Sequence, residues 1–98
     1  LHGVRPWLAM CLSAQGDHAA ALAELNEDVR RTASVDPDIA YAVACVYAIS
    51  GEVDEAFEWL RRSMALGNEN RPWFETDSNL KLLRDDARFG EMMRSIAV

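Results

Sequence analysis

Prolines are few in this chain, three in all, and glycines number five. That scarcity excludes collagen-like and proline-rich extended chains, and it argues against a disordered or many-turned all-β chain. Two cysteines, Cys11 and Cys45, and two histidines, His2 and His18, are too few soft ligands at a recognisable spacing for a structural zinc site. The thiols read as small hydrophobes on helices. A disulfide between them requires Cα atoms within about 7 Å of each other. No apolar run approaches the roughly 20 residues of a membrane-spanning helix. The longest runs from Ile39 to Ile49, and no signal-peptide pattern is visible.

Positive charge is also scarce: Lys and Arg total 10 against 16 Asp and Glu, a net charge of -6. An acidic chain is repelled by phosphate backbones. The only basic doublets are Arg30-Arg31 and Arg61-Arg62, so there is no polybasic tract for anionic membranes. Nucleic acid, membrane and metal are therefore not expected among the partners, and the expected compartment is the cytoplasm. Catalytic patterns are missing too. There is no Gly-rich phosphate loop, no Gly-x-Ser-x-Gly and no His-Glu-x-x-His. Asp36-Pro37-Asp38 and Asp85-Asp86 look like helix starts, not acid/base pairs held in separate environments. The expectation is no enzyme activity, no cofactor and no metal site.

What is present is periodicity. Ninety-eight residues, half of them hydrophobic, allow one domain over 1–98. Sliding the chain onto itself so that Gly16 falls on Gly51 also superposes Ala9 on Ala44, Ala21 on Ala56 and Leu25 on Leu60. In the same register Leu8 meets Val43, Leu12 meets Tyr47, Leu22 meets Phe57 and Val29 meets Met64. Matched small and matched large residues in one register mark an internal repeat.

Each copy reads as two helices around a glycine. In the second copy, over 36–68, Asp36 can cap, Pro37 suits the first helical position, and Asp38 complements the helix dipole. Ile39, Ala40, Val43, Ala44, Tyr47 and Ala48 then recur at helical steps until Ser50-Gly51. The next helix carries Val53, Ala56, Phe57, Leu60 and Met64 inward with Trp59 beside them, and Gly67-Asn68 ends it. Glu58 and Arg62 form an outward i,i+4 pair. The first copy, over 4–33, has one helix from Val4 to Ala14, a break at Gln15-Gly16, and a second helix from Asp17 to Arg31. Glu27 and Arg31 repeat the outward pair. Ala9, Ala21, Ala44 and Ala56 occupy matching places where two helix backbones can approach closely.

This pattern resembles the tetratricopeptide repeat, a helix-turn-helix unit with a large, a small and an aromatic residue in its first helix, a glycine turn, and an alanine in its second. Val43, Ala44, Tyr47, Gly51, Ala56 and Leu60 match those places, and Leu8, Ala9, Leu12, Gly16, Ala21 and Leu25 match them more loosely. Arg5 and Ala40 stand where the family has tryptophan, the terminal proline is missing, and the linker has one extra residue. The resemblance implies an all-α fold of two antiparallel helix-turn-helix repeats, an α-α superhelix, followed by short capping helices.

A third copy would need glycine at position 86 and alanine at 91, where Asp86 and Glu91 stand. Residues 70–98 read instead as helical pieces: one opening at Pro72-Trp73-Phe74, one at Leu80-Lys81-Leu82-Leu83, and a last helix from Asp85-Asp86 through Ala97. They resemble the ending of many bacterial tetratricopeptide proteins: Trp, then Asp, then Leu-x-x-Leu-Arg-x-Asp-x-Arg-Phe. Here these are Trp73, Asp77, Leu80, Leu83, Arg84, Asp86, Arg88 and Phe89. A repeat array needs its open end covered, so the segment is expected to be a cap, with Trp73 and Phe74 in the core. The chain begins with Leu1 and is read as a piece of a longer bacterial protein. In such relatives the array often follows a winged-helix, nucleotide-cyclase or protein-kinase domain.

The resemblance also places a binding face on the first helices of the repeats. Its residues here are Met10 and Ser13 in the first copy, and Asp38, Tyr41, Cys45 and Ile49 in the second. The Lys, Arg and Asn with which some members hold a partner's C-terminal carboxylate are absent. The remaining stripe is apolar. It serves either as a groove for a protein or peptide or as a surface covered by the chain's own elements. The implied function is a non-catalytic protein-protein interaction module. The alternative is a structural segment that self-associates and stabilises a parent signalling or regulatory protein.

Overall fold

A computed structural model describes residues 16–96 of the chain. The helix expected over Val4 to Ala14, with Met10, Cys11 and Ser13, lies outside the described residues, as does Ala97. Among the described residues there are seven α-helices, one 3-10 turn and no strand. The helices are α1 (His18–Ala23), α2 (Glu27–Ala33), α3 (Pro37–Ile49), α4 (Val53–Ala65), α5 (Arg71–Thr76), α6 (Lys81–Arg84) and α7 (Ala87–Ser95), with the 3-10 turn Ser78–Leu80 between α5 and α6.

The helix expected from Asp17 to Arg31 is two helices. The amides of Glu24 and Leu25 fold back on the carbonyls of Ala20, Ala21 and Leu22, which closes α1. Asn26, extended at φ -73 and ψ 178, then caps α2 by accepting a 2.9 Å hydrogen bond from the Val29 amide. Asn26-Glu27-Asp28 is a helix-start signal, a cap followed by acids in the first turn. The apolar stripe hides it. Ala21, Leu25, Val29 and Ala33 are all buried and continue at four-residue steps across the break.

Helix α3 is the centre of the molecule. Asp36 caps it, accepting from the amides of Asp38 at 2.9 Å and Ile39 at 3.2 Å, and Pro37 starts it. Every residue from Ala40 to Ala48 is buried. The expected single inner stripe thus understates this helix, which is apolar all round and packed against α1, α2, α4, the 3-10 turn and α6.

α3 and α4 form an antiparallel pair. Gly51, at φ +83, donates to the Ala48 carbonyl at 3.2 Å, and Glu52 donates to that of Tyr47 at 2.9 Å. These two bonds make a Schellman motif, which needs a left-handed residue where glycine carries no Cβ penalty. The end of α4 repeats it through Gly67 and Asn68, which donate to Met64 and Ser63 at 3.0 Å each. At the other end of the pair the Ser63 hydroxyl, fully buried, donates to the Pro37 carbonyl at 2.8 Å and accepts from Asn68 Nδ2 at 3.0 Å. Ala44 and Ala56 have no exposed surface in this pair. Ala56→Leu is therefore expected to overpack it and to cost about 1–3 kcal/mol in denaturant melts. An unchanged midpoint would mean that the two helices do not meet at this alanine.

The C-terminal third shares the same core. Phe74, Leu80, Leu83, Phe89, Met92, Met93 and Ile96 are buried with the residues of α3 and α4. Trp73 departs from expectation, being 56% exposed and not part of the core. Adjacent positions on a helix point about 100° apart, and on a helix as short as α5 only one of Trp73 and Phe74 can face inward. Asp86 caps α7 through the Arg88 amide at 2.9 Å and holds the Arg88 guanidinium at 2.9 and 3.1 Å. Those hydrogen bonds from Arg88 hold the Asp86 carboxyl down at about 2. Arg88 also reaches Asp54 at 2.9 Å and lies 4.5 Å over the Phe57 ring, which fastens α7 to α4. The outward pairs are present as Arg62–Glu58 at 3.4 Å and Arg31–Glu27 at 3.6 Å.

Candidate functional site: a groove between α3 and the C-terminal segment

The start of α3 and the C-terminal segment enclose an open groove of about 370 Å³. Asp38 and Tyr41 line it from α3, Asn68 and Asn70 from the linker, Trp73 from α5, and Asp77 and Asn79 from the turn that follows. Of the residues expected to form the binding face, the structure brings Asp38 and Tyr41 together here. Cys45, one turn further along α3, is fully buried beneath, and Ile49 is half-buried at the far end of the helix. Met10 and Ser13 lie outside the described residues.

Tyr41 is the floor of the groove. It is 6% exposed, its ring stacks on Phe74 with centroids 5.4 Å apart and planes 20° from parallel, and its hydroxyl donates to Asp77 Oδ2. Burial pushes the Tyr41 phenol well above its usual range, and the neighbouring Cys45 and Asp77 push it the same way. Burial, followed by the Asp77 charge, likewise raises the Cys45 thiol. Cys45 has no exposed surface, which places it with the structural cysteines.

The far wall is positioned by capping chemistry. Asn70 caps α5 by accepting from the Trp73 amide at 3.4 Å. Asp77 Oδ1 accepts from the Asn79 amide at 2.9 Å and so starts the 3-10 turn, while its other oxygen receives Tyr41. Arg84 Nη1 donates to the carbonyls of Asp77 at 2.7 Å and Phe74 at 3.3 Å, locking the bend between α5 and α6. Asn68 is held by its Ser63 bond to the end of α4.

The ending motif Trp73, Asp77, Leu80, Leu83, Arg84, Asp86, Arg88 and Phe89 thus divides clearly. Leu80, Leu83 and Phe89 fill the core. Asp77, Arg84, Asp86 and Arg88 fasten turns and helices. Trp73 alone among them has no such employment. Its ring stands at the groove, and its indole N–H has no acceptor among the described residues.

Among the described residues the lining carries two carboxylates and three amides but no lysine, arginine or histidine. Among the described residues the Asp38 carboxylate makes no hydrogen bond or ion pair. Asp77 is committed to Tyr41 and to the 3-10 turn. The groove thus presents an aromatic side chain, a carboxylate without a partner among the described residues, and the side-chain amides of three asparagines. Two further surface hollows differ in this respect, because their cations are already engaged. In one, Arg62 pairs with Glu58 and lies 4.4 Å over Trp59, while Arg30 donates to the Tyr47 hydroxyl at 2.8 Å. The other is lined by Arg61 and by Arg88, which is bound to Asp54 and Asp86. No group of His, Cys, Asp and Glu among the described residues is arranged to hold a metal ion, and no described helix is long and apolar enough to cross a membrane.

Asn68 reads in the sequence as a helix end and Asp77 and Asn79 as punctuation between helices, and Asn70 carries no signal of its own there. One signal does point to them. Trp73 and Phe74 are adjacent on a helix, one of them must face outward, and the polar linkers on either side are its nearest neighbours in the chain. Compared with known proteins, the chain matches no family model, no curated protein and no solved structure.

Proposed function

We propose that this chain is a non-catalytic, tetratricopeptide-like interaction module of a larger bacterial protein, and that it takes a protein or peptide partner in the groove beside Trp73. The tetratricopeptide-like reading is supported by the hairpin of α3 and α4, with Gly51 in its turn and the fully buried Ala44 and Ala56. The observation that carries the binding role is the exposure of Trp73. A large aromatic side chain left outside the core, at a groove whose Asp38 carboxylate has no partner among the described residues, is the residue type that dominates partner binding at protein interfaces. Tyr41, expected on the binding face, contributes its packed ring from below. A substitution there would therefore report on folding as much as on binding.

The test panning a random-peptide library on the whole chain uses Trp73→Ala as its control. The variant is expected to melt within about 0.5 kcal/mol of the parent, because it removes an exposed side chain. Peptides selected on the parent are expected to lose at least about 2 kcal/mol of binding to the variant, the scale of an interface anchor. A library that enriches nothing on the parent beyond what it enriches on Trp73→Ala would sink the reading. Sedimentation over a range of concentrations decides between a separate partner and a second copy: a dimer that Trp73→Ala dissociates makes the partner self.

A further inference from the structure

The chemistry of the groove specifies more than a partner in general. Every charged group in its lining is an acid, and the Asp38 carboxylate has nothing to pair with among the described residues. Trp73, 56% exposed, lines the same groove. The amide groups of Asn68, Asn70 and Asn79 complete the rim. Asn70 spends its oxygen on the Trp73 amide, and Asn68 spends its Nδ2 on Ser63, which leaves the Asn68 oxygen free to accept.

An acidic peptide is repelled from such a lining, and an apolar one leaves Asp38 desolvated without a partner. A basic side chain satisfies all of it at once. Among basic side chains a guanidinium fits best, because it is planar, stacks on an aromatic face, and presents several N–H donors to a carboxylate and to amide oxygens together. A groove of about 370 Å³ is large enough for one extended arginine side chain and the backbone that carries it.

We infer that the groove is an arginine-binding subsite, in which Trp73 stacks on the guanidinium of a partner peptide and Asp38 accepts its hydrogen bonds. This inference rests on the interaction-module reading and names the chemistry of its partner. Asp38 and Trp73 are binding residues here, while Asp77 and Tyr41 position the wall and floor. Asp77 is already engaged, so the free charge that answers the guanidinium is that of Asp38.

The experiment is a titration of the whole chain, followed by two-dimensional amide NMR, with the peptide acetyl-Ala-Ala-Arg-Ala-Ala-amide and with its citrulline analogue, which has nearly the same shape but no charge. The arginine peptide is expected to shift the Trp73 indole signal and the signals of Asn68, Asn70 and Asn79. The citrulline peptide is expected to bind at least about tenfold more weakly, as loss of a charge-assisted hydrogen bond and a cation–π contact requires. Asp38→Asn, which removes a charge without a partner among the described residues, is expected to fold normally and to narrow the difference between the two peptides to what the Trp73 contact alone supplies. Trp73→Ala is expected to weaken the arginine peptide about tenfold or more. Equal binding of the two peptides to the parent chain overturns the inference, and so does a set of shifts lying away from the groove. If the peptide library selects groove binders while the arginine peptide leaves the groove unshifted, the module reading stands and the arginine subsite falls. A library that selects nothing removes both.

Discussion

Phe74→Ala is expected to destabilise the chain by about 3–5 kcal/mol, the range for truncating a fully buried aromatic. Phe74 has no exposed surface, and its ring lies against Tyr41 of the central helix. It is the inward member of the Trp73-Phe74 pair and the residue through which α5 enters the core. Removing it opens a cavity between α3 and the C-terminal segment, into which the short α5 has little means of collapsing. Domains of this size have about 5–15 kcal/mol of stability in all, so the loss is large enough to show as a displaced denaturant midpoint and as faster amide exchange in α5, α6 and α7. A cost under about 1 kcal/mol would mean that the segment is held by something other than this side chain.

Asp77→Ala is expected to cost about 2–4 kcal/mol, from two losses that act together. The Tyr41 hydroxyl loses its acceptor in a buried setting, and the 3-10 turn loses its cap. The contributions separate in a double-mutant cycle with Tyr41→Phe. With Asp77 present, Tyr41→Phe is expected to cost about 1 kcal/mol, the scale of one hydrogen bond. With alanine at position 77, the same change should cost almost nothing or restore some stability, because it removes a donor left without a partner. Strictly additive effects would show that the hydroxyl and the carboxylate do not cooperate.

How much of this could be read beforehand varies from one element to the next. The hairpin of α3 and α4 was readable to within a residue or two, because its start, turn and end are each specified by local chemistry: Asp36-Pro37, Gly51 and Gly67. The break between α1 and α2 was not. Its four-residue apolar stripe continues through it, and that periodicity is a stronger signal than one asparagine. Asp77 and Asp86 read in the sequence as punctuation and as a helix start, and they cap the 3-10 turn and α7, whereas the Asn70 cap of α5 lies two residues before the Pro72 opening read there. Their second duties depend on contacts with residues far away in the chain. Tyr41 with Asp77 and Arg88 with Asp54 are examples that no local pattern encodes. The groove belongs to the same class. Asp38 and Tyr41 were legible as one face of a helix, whereas Trp73 and the asparagines reach that face only through the bend that Arg84 locks. Adjacency turns one of Trp73 and Phe74 outward without saying which, and the preference of tryptophan for the interior pointed the other way.

The burial of every α3 residue from Ala40 to Ala48 has a consequence for how the molecule can be divided. In an open solenoid each hairpin covers only its neighbours, so units can be added or removed from an end and the rest persists. Here the helix between Pro37 and Ile49 is covered on one side by α1 and α2, along its length by α4, and on another side by the 3-10 turn and α6. Removing the elements on either side strips apolar surface from the same helix. Truncation on either side of α3 is therefore expected to destabilise the described helices together.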